Sequence, residues 1–166
     1  MKFTLRANSG EEADRLTTLE IKEEEGGLRL YYSAYDSSFY SPFKEDNEPI
    51  YDGCVVEIFF SPDGNENEYF EYEFSPGGLV WAGKIRHVNG RRLTEMLDPR
   101  VPHEVRREGN NYFVEAFIPV EYAAGKSKFN AFRIERNGAD SPYLLYAVFP
   151  TLCDTFHVPS KLAALG

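Results

Sequence analysis

The sequence predicts an all-β fold, an antiparallel β-sandwich of the immunoglobulin or jelly-roll kind with about nine to ten strands and one or two short helices. Three observations predict it: period-two alternation in short runs, turn residues at short intervals between them, and an aromatic content of 15%, with 11 Tyr and 13 Phe. Aromatic and β-branched side chains fit the pleated, half-buried surface of a sheet.

The alternation is plainest in three runs. Leu28, Leu30, Tyr32 and Ala34 alternate with Arg29, Tyr31, Ser33 and Tyr35. Val56, Ile58 and Phe60 alternate with Val55, Glu57 and Phe59, and Phe70, Tyr72 and Phe74 with Tyr69, Glu71 and Glu73. Similar runs span 79–88, 103–108, 111–118, 129–136 and 143–149. Successive strand residues point to opposite faces, so such runs build sheets with an apolar face.

Turn signals separate the runs: Glu25-Gly26-Gly27, Pro62-Asp63-Gly64, Pro76-Gly77-Gly78, Asn89-Gly90 and Gly109-Asn110-Asn111. Asn-Gly and related pairs reach the backbone angles that tight hairpins require. Short helical turns are expected at 120–124, after Pro119, and at 160–165, after Pro159. Residues 36–51, rich in Asp, Ser, Pro and Asn, read as a long loop, and 91–102 as a second connection. With no repeat, low-complexity tract or linker, residues 1–166 are expected to form a single domain.

The formal net charge is −9. An acidic surface repels phosphate backbones, which argues against nucleic acid as a partner. No apolar run approaches the ~20 residues of a membrane span, and Met1-Lys2-Phe3-Thr4-Leu5-Arg6 runs into polar residues without a secretory apolar core. The chain as given is therefore expected in the cytoplasm, or outside the cell if a leader has been trimmed. Cys54 and Cys153 lie in no metal or redox motif and are expected as free thiols.

Charged residues interrupt the strand faces. Glu57 sits between Val56 and Ile58, Glu71 and Glu73 share a face, Glu115 lies between Phe113 and Phe117, and Arg133 shares a face with Glu135. The ordinary reading is the solvated face of an antiparallel sheet. The functional reading is a sugar surface, where hydroxyls meet paired polar partners and the C–H faces of a pyranose meet aromatic rings. Phe39, Tyr40, Phe43, Tyr51, Trp81 and Phe156 are candidate rings, each of them equally at home in core or edge packing. Asp63-Gly64-Asn65-Glu66-Asn67-Glu68 offers dense side-chain oxygens for a hard cation such as calcium, with Asp63, Asn65 and Asn67 as candidate ligands. It reads as readily as a polar hairpin turn. His87, His103 and His157 show no metal-ligand spacing, and no nucleophile elbow or phosphate loop is present, so catalytic readings are weak.

Five runs in order resemble carbohydrate-binding module family 9: Tyr51 to Phe60 (YDGCVVEIFF), Tyr69 to Gly78 (YFEYEFSPGG), Tyr112 to Pro119 (YFVEAFIP), Phe129 to Ile134 (FNAFRI) and Phe156 to Leu162 (FHVPSKL). The resemblance covers about residues 28–166 and implies a β-sandwich that binds a mono- or oligosaccharide without cutting it. It implies Tyr51 and Phe156 as the two rings that clasp a sugar, and Glu57 as the carboxylate that bonds its hydroxyls. Both rings are tryptophan in the best-understood members, and the family arginine on the next strand falls at Glu71. The expected ligand-binding set is therefore Tyr51, Glu57, Glu71, Trp81, Arg133 and Phe156. The resemblance also implies structural calcium near the 63–68 loop. The alternatives are an interaction or scaffold domain of the same fold, or a glycoside-processing enzyme using carboxylates of one face.

Overall fold

The computed structural model describes residues 1–166. Thirteen strands form two antiparallel sheets. In chain order they are β1 (Lys2–Thr4), β2 (Arg6–Ala7), β3 (Thr17–Glu24), β4 (Gly27–Tyr35), β5 (Val55–Ser61), β6 (Glu68–Phe74) and β7 (Val80–Val88). The remainder are β8 (Arg91–Met96), β9 (His103–Glu108), β10 (Asn111–Pro119), β11 (Lys128–Glu135), β12 (Leu144–Ala147) and β13 (Ala163–Ala164). One sheet has the order β1-β3-β4-β10-β9. The larger has the order β2-β12-β11-β5-β6-β7-β8, with β13 also paired to β11. Two 3₁₀ turns, Ile50–Asp52 and Pro159–Lys161, are the only helical elements.

The main core lies between the sheets. Leu28, Leu30, Tyr32, Val114 and Ala116 from the smaller sheet pack with Val56, Ile58, Phe60, Tyr72, Phe74 and Ala82 from the larger. These are the alternating positions read from the sequence. A second apolar cluster lies on the other face of the larger sheet: Val55, Phe59, Tyr69, Trp81, Ile85, Phe132, Ile134 and Phe156 among others. The larger sheet is thus covered on both faces, which is why every residue of β5 is buried and why its sequence is nearly continuous in apolar residues. The cover comes from loops. Asn47 ties the 36–51 loop to β7 by accepting from the Ala82 amide (2.9 Å) and donating to the Leu97 carbonyl (2.9 Å). Asn8 pins the C-terminal segment, donating to Thr151 Oγ1 (2.7 Å) and accepting from the Thr151 amide (2.8 Å).

The structure departs from the sequence reading in four places. Residues 120–124 form no helix; the chain passes through a turn at Gly125, whose φ of 78° is incompatible with helix continuation. The 160–165 segment is a 3₁₀ turn followed by β13, because buried Leu162 and Leu165 hold it against the larger sheet. The 91–102 connection contains β8, an edge strand exposed along its whole length, so burial imposes no alternation on it. Finally, β3 buries Thr17, Leu19 and Ile21, but its charged second half hides that pattern in the sequence.

Candidate functional site

Cross-strand register builds the site. On the outer face of the larger sheet, Phe132, Glu57, Glu73 and Trp81 stand opposite one another across β11, β5, β6 and β7. In the adjoining row Phe59, Glu71 and Gly83 are partners. Three carboxyls are thereby placed side by side, and one oxygen from each lies within 4.8 Å of the others. All three residues are buried. They floor a cleft of about 1010 Å³.

Aromatic rings form its walls. Tyr51 is carried by the 3₁₀ turn, anchored by buried Ile50, and is 41% exposed. Its ring meets Trp81 edge-on, with centroids 6.2 Å apart. Trp81, the sole tryptophan, lies over Gly83; a Cβ there would stand 2.6 Å from the indole, so glycine is what lets the ring lie against the sheet. Phe156 comes from the pinned C-terminal segment and stacks on Phe132 at 4.2 Å. It is 7% exposed, part wall and part core. Arg92, Asp52, Tyr143 and Asn47 complete the rim.

Burial controls the charges. It raises the pKa of all three glutamates, and their mutual repulsion raises Glu57 and Glu73 further. Glu71 is pushed up to about 7, with Glu73 and Arg92 opposing the effect of burial. Burial and mutual repulsion thus make each carboxyl of the floor harder to ionise than a free glutamate. Beside it, His157 Nε2 stands 3.4 Å from Glu71 Oε1. Burial brings the His157 pKa down to about 3, so its ring is neutral. Tyr69 Oη bridges His157 Nδ1 (2.7 Å) and His87 Nε2 (2.9 Å). The Tyr69 hydroxyl can donate to one of these ring nitrogens while accepting from the other, so it links the two histidines at the edge of the floor.

Of the six residues expected to bind ligand, Tyr51, Glu57, Glu71, Trp81 and Phe156 line this one cleft. Arg133 does not. It pairs in register with Val56 and so turns to the core side of β11. There Nη2 donates to Asp36 Oδ2 (2.9 Å) and to the Tyr35 carbonyl (3.0 Å). The face that Arg133 and Glu135 share is an interior ion-pair network with Asp36 and Arg15. Glu73, Arg92 and His157 are cleft residues that the expected set omits. The alternation of β6 carried the signal for Glu73, since Glu71 and Glu73 share a face. No local pattern marks Arg92 or His157.

In the 63–68 loop, Asp63 Oδ1 accepts from the Asn65 amide and Asn65 Oδ1 from the Asn67 amide, both at 3.0 Å. Glu66 pairs with Lys128 and Glu68 with Lys84. Cys54 is buried and Cys153 exposed, both as free thiols. Burial pushes the Cys54 thiol up to about 11. A second groove of about 790 Å³ crosses the outer face of the smaller sheet. Its rings are already covered by cations: Arg106 lies 4.2 Å from the Phe113 centroid and Lys22 5.1 Å from that of Tyr31. A sugar would have to displace them, so the outer-face cleft of the larger sheet is the better platform.

No family model and no curated protein matches the sequence. Solved structures match its fold. A candidate carbohydrate-binding protein from Bacteroides uniformis ATCC 8492 superposes with a TM-score of 0.77 at 19% identity, over 99% of this chain and 84% of that one. A family 9 carbohydrate-binding module from Caldicellulosiruptor kristjanssonii in complex with glucose gives 0.60 at 13% identity, over 98% and 82%. The same organism's family 9 module in complex with cellotriose gives 0.54 at 14% identity, over 84% and 68%. The chain has the β-sandwich fold of carbohydrate-binding module family 9. No helix is long and apolar enough to cross a membrane.

Proposed function

We propose that this protein is a non-catalytic carbohydrate-binding module whose ligand, a mono- or oligosaccharide, enters the cleft between Tyr51 and Phe156. One observation carries the reading: aromatic walls stand over a floor of three buried carboxyls, on the outer face of the larger sheet. A pyranose presents the same two chemistries, apolar C–H faces and a rim of hydroxyls that both donate and accept. Glu57, Glu71 and Glu73 take the hydroxyls, and Tyr51, the exposed ring of the cleft, takes the ring face. The glucose and cellotriose bound by structural neighbours support the same ligand class.

Trp81 makes the test direct, because all indole fluorescence comes from the cleft wall. Glucose and cello-oligosaccharides are titrated while emission is followed, and saturable change is expected. Release of reducing ends from the same sugars would overturn the non-catalytic part of the reading. Absence of both responses across a wider glycan panel would leave the fold as an interaction module.

A further inference from the structure

We propose that Glu57, Glu71 and Glu73 form a binding site for one hard divalent cation at the floor of the cleft. The donor geometry is the first argument. One oxygen from each carboxyl lies within 4.8 Å of the other two. A point equidistant from three atoms at that limiting separation is about 2.8 Å from each, and closer for any shorter separation, against calcium–oxygen distances of about 2.3–2.6 Å. The donors are all oxygen, the preference of calcium and manganese. They are also held rigidly, Glu57 and Glu73 being direct partners on adjacent strands.

The second argument is counter-charge. Elsewhere this fold pairs its buried acids with cations: Asp36 with Arg133, and Glu135 with Arg15 and Arg133. No lysine or arginine stands within ion-pair distance of any member of the triad, Arg92 acting on Glu71 only from the rim, and the one histidine in reach is Nε2 of His157, 3.4 Å from Glu71. Buried carboxylates are paired, protonated or bound to metal.

The third is an orphan atom. Glu73 is 1% exposed and lines the cleft, yet its Oε1 has no hydrogen-bond partner. A buried acceptor left unsatisfied costs stability, and an ion seated on the triad removes that cost. Coordination positions not filled by the three carboxyls face the open cleft. The further step, in which sugar hydroxyls fill them, rests on the carbohydrate reading; the cation site itself does not.

The test uses the full chain with calcium chloride or manganese chloride and no sugar, read by thermal shift and by manganese electron paramagnetic resonance. Saturable binding of one ion per chain with a rise in Tm is expected. Glu57→Gln and Glu73→Gln should each weaken it about tenfold or more, since affinity follows the number of charged ligands, with circular dichroism unchanged. Asp63→Asn, in the 63–68 loop, should leave it intact. Absence of a cation-dependent shift in the native chain, or a shift that survives both Gln variants, overturns the site. Sugar titrations are run separately, so loss of sugar binding with cation binding intact bears only on the carbohydrate reading.

Discussion

Glu57 and Glu73 face each other across β5 and β6 as direct cross-strand partners, both buried on the outer face of the larger sheet. Like charges directly opposite in a ladder repel, and here no lysine or arginine is paired with either. A strand pairing of this kind is stable only when protons or a bound cation neutralise it, so acid–base behaviour becomes a property of the fold.

In the presence of a chelator the triad sets a pH dependence. The three glutamates have pKa values raised above the ordinary value of about 4.3. Between that value and their folded-state values, the native chain keeps protons that the unfolded chain releases. Stability should therefore fall as pH rises from about 5 to 8, the reverse of a salt-bridged carboxylate. Glu73→Gln, which is neutral at every pH, should flatten the curve and raise Tm at pH 8, by about 2–4 °C per kcal/mol relieved. Thermal melts across this range check it; equal slopes for native and variant chains would refute it.

The two rings should answer differently to truncation. Tyr51 is 41% exposed, so Tyr51→Ala should leave Tm nearly unchanged and weaken sugar binding by about 1–2 kcal/mol, roughly five- to thirty-fold. Phe156 is 7% exposed and stacked on Phe132, so Phe156→Ala should cost about 3–5 kcal/mol of stability as well. Denaturant unfolding alongside fluorescence titration separates the two effects.

Arg133 should prove structural. Its guanidinium is buried against Asp36, and Arg133→Ala leaves that carboxylate without its partner, at a cost of about 3–5 kcal/mol. Where folded protein is recovered, its affinity for a sugar should stay within about twofold of the native value, since the side chain lies on the opposite face of β11 from the cleft. A selective loss of affinity with stability intact would return Arg133 to the binding set.

The 63–68 loop should not need calcium. Its Asp63 and Asn65 side chains already accept from the loop's own amides. In a background carrying both Glu57→Gln and Glu73→Gln, which leaves the triad a single carboxylate, chelation should leave Tm unchanged, since only a ligand bound to the native state raises it. A fall in Tm that calcium reverses would place the ion in the loop.

Much of this was legible in the sequence. Alternation marked eight of the thirteen strands, β4 to β7 and β9 to β12, and the fact that Glu71 and Glu73 share a face, because a strand side chain has only two directions. The resemblance of five short runs placed Tyr51, Glu57 and Phe156 at one site, and the structure sets all three around one cleft. Tertiary structure alone decided the rest. The larger sheet is covered on both sides, so hydrophobicity does not say which face of β11 is the inner one, and Arg133 was assigned to the cleft when it belongs to the core. Register between β5, β6 and β7 put Glu57 opposite Glu73 and Trp81 beside them. His157 reaches Glu71 across 86 residues of chain only because Asn8 and Thr151 fasten the C-terminal segment. Face parity is a local consequence of backbone geometry and can be read along a strand. Register and loop placement arise from contacts between distant parts of the chain, and no run of neighbouring residues records them.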